Sequence, residues 1–179
     1  MSKIVYLIGF MGVGKTSVGE WVKRSEGITS YEAIDLDTYI EKVEGTTIEG
    51  LFGSYGEEYF REVEARILKE VSESFRARPI KKTYIISCGG GIVLRDSNIE
   101  IMKQCGIVAW LTASTLSIQN RVTNDQTPRP ALKNCKSLKD MEQLIMERNK
   151  QYEKAADFIV STDGLTTDEI WENIKSNIV

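Results

Sequence analysis

An α/β fold, with a five-stranded parallel sheet and helices on both of its faces, is what this sequence predicts. Three observations carry that expectation. Short apolar runs rich in β-branched residues alternate with helix-period segments along the chain. The first run, Ile4 to Ile8, passes straight into a glycine-rich turn and then a helix, the order of a parallel βα unit. No internal repeat, low-complexity tract or interdomain linker breaks the alternation, so residues 1–179 are expected to form a single domain around one core.

The first strand, Ile4 to Ile8, is apolar or aromatic throughout, as a strand buried on both faces must be. From Lys15 to about Arg24, Val18, Trp21 and Val22 fall at helical spacing, and Gly27 ends the segment. Tyr31 to Leu36 reads as a second strand with Asp35 and Asp37 at its carboxyl edge, followed by a short helix over Thr38 to Val43 that Gly45 stops. Thr46 and Glu49 stand at capping-box spacing before a short turn holding Ile48, Leu51 and Phe52, and Gly53 to Gly56 reads as a loop. From Glu57 to Phe75 the apolar residues Tyr59, Phe60, Val63, Ile67, Leu68 and Val71 share one face of a long helix.

Thr83 to Ser87 is a third strand that runs into Gly89, Gly90 and Gly91. Ser97 with Glu100 opens the next helix, Ile107 to Leu111 is a fourth strand, and Ser114 caps a helix to about Val122. Residues 124–136 are polar, carry Pro128 and Pro130 around Arg129, and lack an amphipathic period, so a mobile excursion is expected there. Ser137 to Ala156 returns to helix through Leu138, Met141, Leu144, Ile145 and Tyr152. Phe158 to Val160 is a short fifth strand, and Thr166 with Glu169 opens a final helix carrying Ile170, Trp171, Ile174 and Ile178.

Composition removes several classes of function. Histidine is absent, so any general base has to be another group, in the first place a carboxylate, and a His-based triad or His metal cluster is excluded. Cys88, Cys105 and Cys135 are odd in number, widely spaced and without a C-x-x-C pair, which argues against a disulfide framework or a zinc site and fits a reducing cytoplasm. A formal net charge of −3 with no local basic patch argues against a nucleic-acid partner. No apolar stretch approaches the length of a membrane span, so a soluble cytoplasmic protein is expected.

The chemistry begins in the glycine-rich turn. Gly9 to Thr16 fits G-x-x-x-x-G-K-[ST] at every fixed position, the P-loop that cradles phosphates at a helix N-terminus. Gly12, Val13, Gly14, Lys15, Thr16 and Ser17 are the candidate ATP contacts: amides around the phosphate oxygens, the Lys15 charge on the β- and γ-phosphates, and the Thr16 hydroxyl on a bridging Mg²⁺. The fold class thereby narrows to the three-layer P-loop NTPase architecture. A guanine-specific GTPase would carry N-K-x-D after a strand. The nearest string here, Asn149-Lys150-Gln151-Tyr152, lies in a helix and lacks the aspartate.

The remaining polar groups come in a fixed order: Asp35-Leu36-Asp37, Phe60-Arg61 with Glu64, the triple glycine, Arg129 between prolines, then Arg148 with Tyr152 and Asp157. In that order and at those spacings, from Ile4 to about Ser161, the chain closely resembles the shikimate kinase family, small-molecule kinases of the nucleoside monophosphate kinase-like P-loop group. The resemblance implies that Asp35 joins Thr16 in holding Mg²⁺ and that Asp37 takes the proton of the attacking hydroxyl and helps place the acceptor. It implies that Arg61 and Arg148 grip the shikimate carboxylate, that Glu64 orients Arg61, and that Phe60 and the backbone of Gly89, Gly90 and Gly91 approach the acceptor, Gly90 foremost. It further implies that residues 124–136 are a mobile lid whose Arg129 stabilises the transferring phosphoryl group as an arginine finger in cis, that Arg121 lies near adenine, and that residues 37–64 form the acceptor-binding segment. A monomer acting on ATP and shikimate is the expectation.

The chain departs from the family pattern at Cys88, where threonine is commoner, at Ala131, where leucine is, and in a gap from Arg121 to Arg129 one residue longer. The ordinary alternative for Arg61 is an exposed helix salt bridge with Glu64; for the aspartates it is a pair of solvated loop carboxylates. Two other functions share the P-loop: a related kinase of another hydroxy acid such as gluconate, and a nucleotide-binding module that transfers nothing. A kinase of an anionic alcohol uses Asp37, Arg61, Arg148 and Arg129 together; a bare nucleotide sensor has no use for the set. Asp37→Asn and Arg61→Ala are each expected to abolish turnover with the fold intact.

Overall fold

The computed structural model describes residues 3–26, 30–79, 82–124 and 137–178. Five strands, β1 (Lys3–Ile8), β2 (Tyr31–Asp35), β3 (Thr83–Ser87), β4 (Ile107–Thr112) and β5 (Phe158–Ser161), pair in parallel in the order β2-β3-β1-β4-β5. Strand order reverses at β1: the chain runs from it to β2 and β3 on one side and later crosses to β4 and β5 on the other. In an open parallel sheet the crevice at the carboxyl ends beside such a reversal is where ligands bind. Leu7, Ser87 and Asp35 share one rung across that edge.

The helices are α1 (Lys15–Ser25), α2 (Leu36–Glu44), α3 (Ile48–Ala77), α4 (Asp96–Cys105), α5 (Thr115–Asn124), α6 (Leu138–Ala155) and α7 (Thr167–Ile178). Two cores form because β1 is buried on both faces. Ile4, Tyr6 and Ile8 pack with Leu36, Ile40, Ile67 and Met102 from α2, α3 and α4. Val5 and Leu7 pack with Val18, Val22, Ile118, Trp171 and Ile174 from α1, α5 and α7. Such period-two alternation is why a continuous apolar run serves a central strand. Trp171 meets Tyr31 edge-on at 5.2 Å, and its indole N–H donates to Glu26 Oε1 at 2.6 Å, closing α7 onto the end of α1.

Local expectations fail in three places. The second strand stops at Asp35, and α2 starts at Leu36 rather than Thr38, because Asp35 Oδ1 accepts from the Thr38 N–H at 3.1 Å and caps the helix early. Gly53 to Gly56 is not a loop: α3 runs from Ile48, and only Gly56, at φ 82° and ψ 174°, leaves the helical region and kinks it. Its cap is Thr47, whose Oγ1 accepts from Gly50 N–H at 3.0 Å, not the Thr46–Glu49 pair. The third is at α4, which begins at Asp96 without a side-chain cap, after a 3₁₀ turn over Ile92–Leu94 that has no periodicity long enough to announce it. A full capping box forms at Ser137 with Asp140, which the sequence did not mark; at Thr166, which it did, Glu169 Oε2 accepts from both the backbone N–H and the hydroxyl at 2.8 Å.

Candidate active site

The turn from β1 into α1 is tight enough to need backbone angles that only glycine adopts freely: Gly12 has φ 78° and Gly14, the cap of α1, has φ 101°. Val13 is buried beneath the loop. Lys15 is buried too, with its ammonium donating to the carbonyls of Gly9 at 2.7 Å and Phe10 at 2.9 Å. Ser87 at the end of β3 donates its hydroxyl to the Lys15 carbonyl at 3.0 Å and so fixes the first residue of α1 to the sheet. Thr16 and Ser17 are exposed on the first turn.

Thr16 Oγ1 donates to Asp35 Oδ2 at 2.8 Å, while Asp35 Oδ1 accepts from Thr38. Asp35 thus ties the phosphate loop to the start of α2. Asp37, one residue into that helix, has a buried Oδ1 with no hydrogen-bond partner. Burial, with the carboxylates of Asp35 and Glu64 adding to it and Lys15 and Arg61 opposing, pushes its pKa up to about 7. A carboxyl that titrates near neutrality is suited to take up and return a proton.

On α3, Arg61 Nη1 donates to Glu64 Oε2 at 2.8 Å, and Nε and Nη2 reach Glu57 Oε1 at 3.3 and 3.2 Å. The Arg61–Glu64 pair of the ordinary alternative therefore exists, but it is buried: Glu64 is fully enclosed, and its Oε1 has no partner. Burial raises the Glu64 pKa against the opposing pull of Arg61. The Arg61 guanidinium lies over the Phe60 ring at 5.0 Å. Glycines after β3 make room for these groups: a Cβ on Gly89 would stand 2.7 Å from Asp37 Oδ1, and one on Gly91 would collide with the Arg61 guanidinium. From α6, Arg148 Nη1 donates to the Gly90 carbonyl at 3.3 Å, and the guanidinium sits over Phe10 at 5.6 Å.

All of these groups open on one cavity of about 920 Å³ over the carboxyl ends of β1, β2 and β3. It is lined by Gly12 to Ser17, by Asp35 and Asp37, by Phe60, Arg61 and Glu64, by Gly89 to Gly91, and by Arg121 and Arg148. Arg129 and residues 125–136 of the expected lid lie outside the described residues. Arg121 is at the other end of the cavity, where Nη1 donates to the Gly12 carbonyl at 3.1 Å and to Thr162 Oγ1 at 3.0 Å, pinning the phosphate loop to the chain just after β5. Among the described residues no group of three or more acidic or cysteine side chains stands ready to hold a metal.

A family model described as Shikimate kinase matches residues 11–179. The chain belongs to the shikimate kinase family. The shikimate kinase of Thermodesulfovibrio yellowstonii is 38% identical over 172 residues, 96% of this chain and 92% of the relative. That of Caldicellulosiruptor bescii is 37% identical over 174 residues, 97% of this chain and 94% of the relative. Among solved structures, shikimate kinase from Acinetobacter baumannii in complex with shikimate superposes with a TM-score of 0.81 at 29% identity, covering 99% of this chain and 95% of that one. A gluconokinase from Sinorhizobium meliloti has a TM-score of 0.51 at 18% identity and shares the fold alone.

The shikimate kinase cavity also has walls that the sequence did not announce. Ile48 and Phe52 join it from the first half of α3, Phe52 packing on Phe60 at 4.8 Å. They were read as turn residues because the Gly56 kink that folds them back leaves no periodic signal. Leu165, Thr167 and Ile170 line it as well. Ile170 carries a helix-core signal that conceals any second role. Tyr152 was read as an apolar helix position and as part of the family pattern after Arg148, with no partner assigned; its hydroxyl donates to the Gly90 carbonyl at 2.6 Å.

Proposed function

We propose that this cavity is where the γ-phosphoryl group of ATP passes to the 3-hydroxyl of shikimate, giving ADP and shikimate 3-phosphate on the route to chorismate and the aromatic amino acids. The supporting observation is that one cavity holds a phosphate cradle, an unpartnered buried carboxylate oxygen on Asp37, and the guanidiniums of Arg61 and Arg148. The amides of Gly12 to Ser17 and the Lys15 ammonium bind the triphosphate. Lys15 trades the carbonyls of Gly9 and Phe10 for phosphate oxygens. Arg61 and Arg148 clamp the acceptor's carboxylate with forked hydrogen bonds, which turns the alcohol toward Asp37. Asp37 accepts the hydroxyl proton as the oxygen attacks phosphorus and the bond to the ADP oxygen breaks.

Mg²⁺ fits the residues present. Thr16 and Asp35 offer the hard oxygens this ion prefers, already joined at 2.8 Å, and too few for an all-protein cage, as suits an ion that keeps water and phosphate ligands. Bound there, it would neutralise phosphate charge. Arg129 supplies the closing positive charge, and Arg121 lies by adenine; both assignments rest on the family resemblance, as does a monomer, whereas a cytoplasmic location rests on the cysteine pattern and the absence of a nucleic-acid partner on a net charge of −3 without a local basic patch. No helix among the described residues is long and apolar enough to cross a membrane.

The test is ADP release with ATP, Mg²⁺ and a panel of hydroxy acids. Shikimate is expected to turn over fastest, with phosphate appearing on its 3-hydroxyl. Gluconate outpacing shikimate, or ADP release indifferent to any acceptor, would remove the assignment.

A further inference from the structure

Among the described residues the Gly90 carbonyl has two donors, and both come from α6. Tyr152 follows Arg148 by four residues, one helical turn, so the hydroxyl of one and the guanidinium of the other reach the same oxygen, at 2.6 and 3.3 Å. A carbonyl has two lone pairs and accepts both. The donors differ in how they are held. Tyr152 is fully buried, and its ring stacks on Trp110 with centroids 5.6 Å apart. Arg148 is half-buried in the cavity wall, in the place from which it would reach an acceptor carboxylate.

We propose that Tyr152 is a positioning residue for the acceptor: it keeps the Gly90 carbonyl bonded when Arg148 turns from that oxygen to the carboxylate of shikimate. The idea rests on the acceptor site proposed above. The peptide between Gly90 and Gly91 is planar, so fixing the Gly90 oxygen also fixes the Gly91 N–H on its opposite edge and keeps the glycine turn in shape. Burial pushes the Tyr152 phenol up to about 12, with the Arg148 charge opposing, so the hydroxyl retains its proton and remains a donor throughout the working pH range. Without that hydroxyl, Arg148 would have to leave the carbonyl without a protein partner, and the competition would weaken acceptor binding while sparing the nucleotide end.

Tyr152→Phe removes the hydroxyl and keeps the ring against Trp110. Its KM for shikimate is expected to rise about tenfold, the weight of one hydrogen bond, with the KM for ATP within about twofold and kcat within about threefold of the parent. A shikimate KM left within about twofold, or both KM values rising together, overturns the proposal. Arg148→Lys separates it from the reading beneath it. If that variant leaves the shikimate KM unchanged, the acceptor site itself is wrong; if it raises the KM while Tyr152→Phe does not, only the role of Tyr152 falls. In the unaltered protein labelled with carbonyl-¹³C glycine, the Gly90 resonance is expected to keep its hydrogen-bonded shift on addition of shikimate. Loss of that shift overturns the proposal even if the phenylalanine variant fails to fold.

Discussion

Asp37 lies against Gly89 so closely that a Cβ there would stand 2.7 Å from Oδ1. The atom in the way is the end of a side chain, so the fold yields at little cost, but the carboxylate loses its place. Gly89→Ala is therefore expected to change stability by less than about 1 kcal/mol and to lower kcat by roughly a hundredfold, the scale of a misplaced catalytic group. A denaturant melt and a steady-state assay on the same preparation check both halves. A fast, stable variant would mean that Asp37 does not need its position.

Asp37 also has a cost in the folded chain. Its carboxyl titrates at about 7, far above the ordinary aspartate value, so the folded protein binds this proton more tightly than the unfolded chain does. The charged form thus costs stability progressively as pH climbs from about 4 to 7, and the full cost persists above that. Asp37→Asn carries no such charge. Relative to the parent it is expected to gain on the order of 2 kcal/mol at pH 8, discounted for an open cavity, and little at pH 4, while shikimate phosphorylation is lost. Equal stability differences at the two pH values would contradict this.

The same titration sets an activity profile. Below its pKa, Asp37 holds a proton and cannot receive another from the acceptor hydroxyl, so kcat/KM for shikimate is expected to rise with pH through an apparent value near 7 and then level. A flat kcat/KM between pH 5.5 and 8 would exclude Asp37 as the proton acceptor.

Arg61→Ala was expected from sequence to spare the fold, but the burial of its partner argues for a cost in stability. Glu64 is fully buried with Arg61 as its bonded partner, so removing the guanidinium strands a carboxylate. The single variant is expected to lose about 3 kcal/mol, and Arg61→Ala with Glu64→Gln to recover a large part of it. Neither should bind shikimate tightly. Melts of the two variants side by side decide the point, and an undiminished melt for Arg61→Ala alone would show Glu64 to be neutral.

Much of this was legible beforehand, for identifiable reasons. Strands such as Ile4–Ile8 announce themselves by apolar runs, and the last helix by Thr166 with Glu169 at its start. The P-loop is readable because phosphate binding dictates residue types at fixed spacing. What escaped depends on a local kink or on distant parts of the chain: the return of Phe52 onto Phe60 across Gly56, the arrival of Leu165 in the cavity wall, and the sharing of the Gly90 carbonyl by Arg148 and Tyr152. No local pattern encodes a kink at one glycine, or a bond between residues 58 or 62 apart in sequence. A buried hydroxyl on an apolar helix face looks like packing until its partner is seen.

The position of β1 at the centre of the sheet divides the molecule into two territories. Asp35, Asp37 and the triple glycine stand at the ends of β2 and β3, on one side of it; Arg121, Thr162 and Leu165 gather by β4 and β5, on the other. Only the phosphate loop belongs to both. On the proposed reading, the acceptor groups Asp37 and Arg61 can be exchanged provided that Asp35 and Ser87, which brace the phosphate loop, are kept, which makes the β2 and β3 ends the place to begin when redirecting this scaffold to a new acceptor.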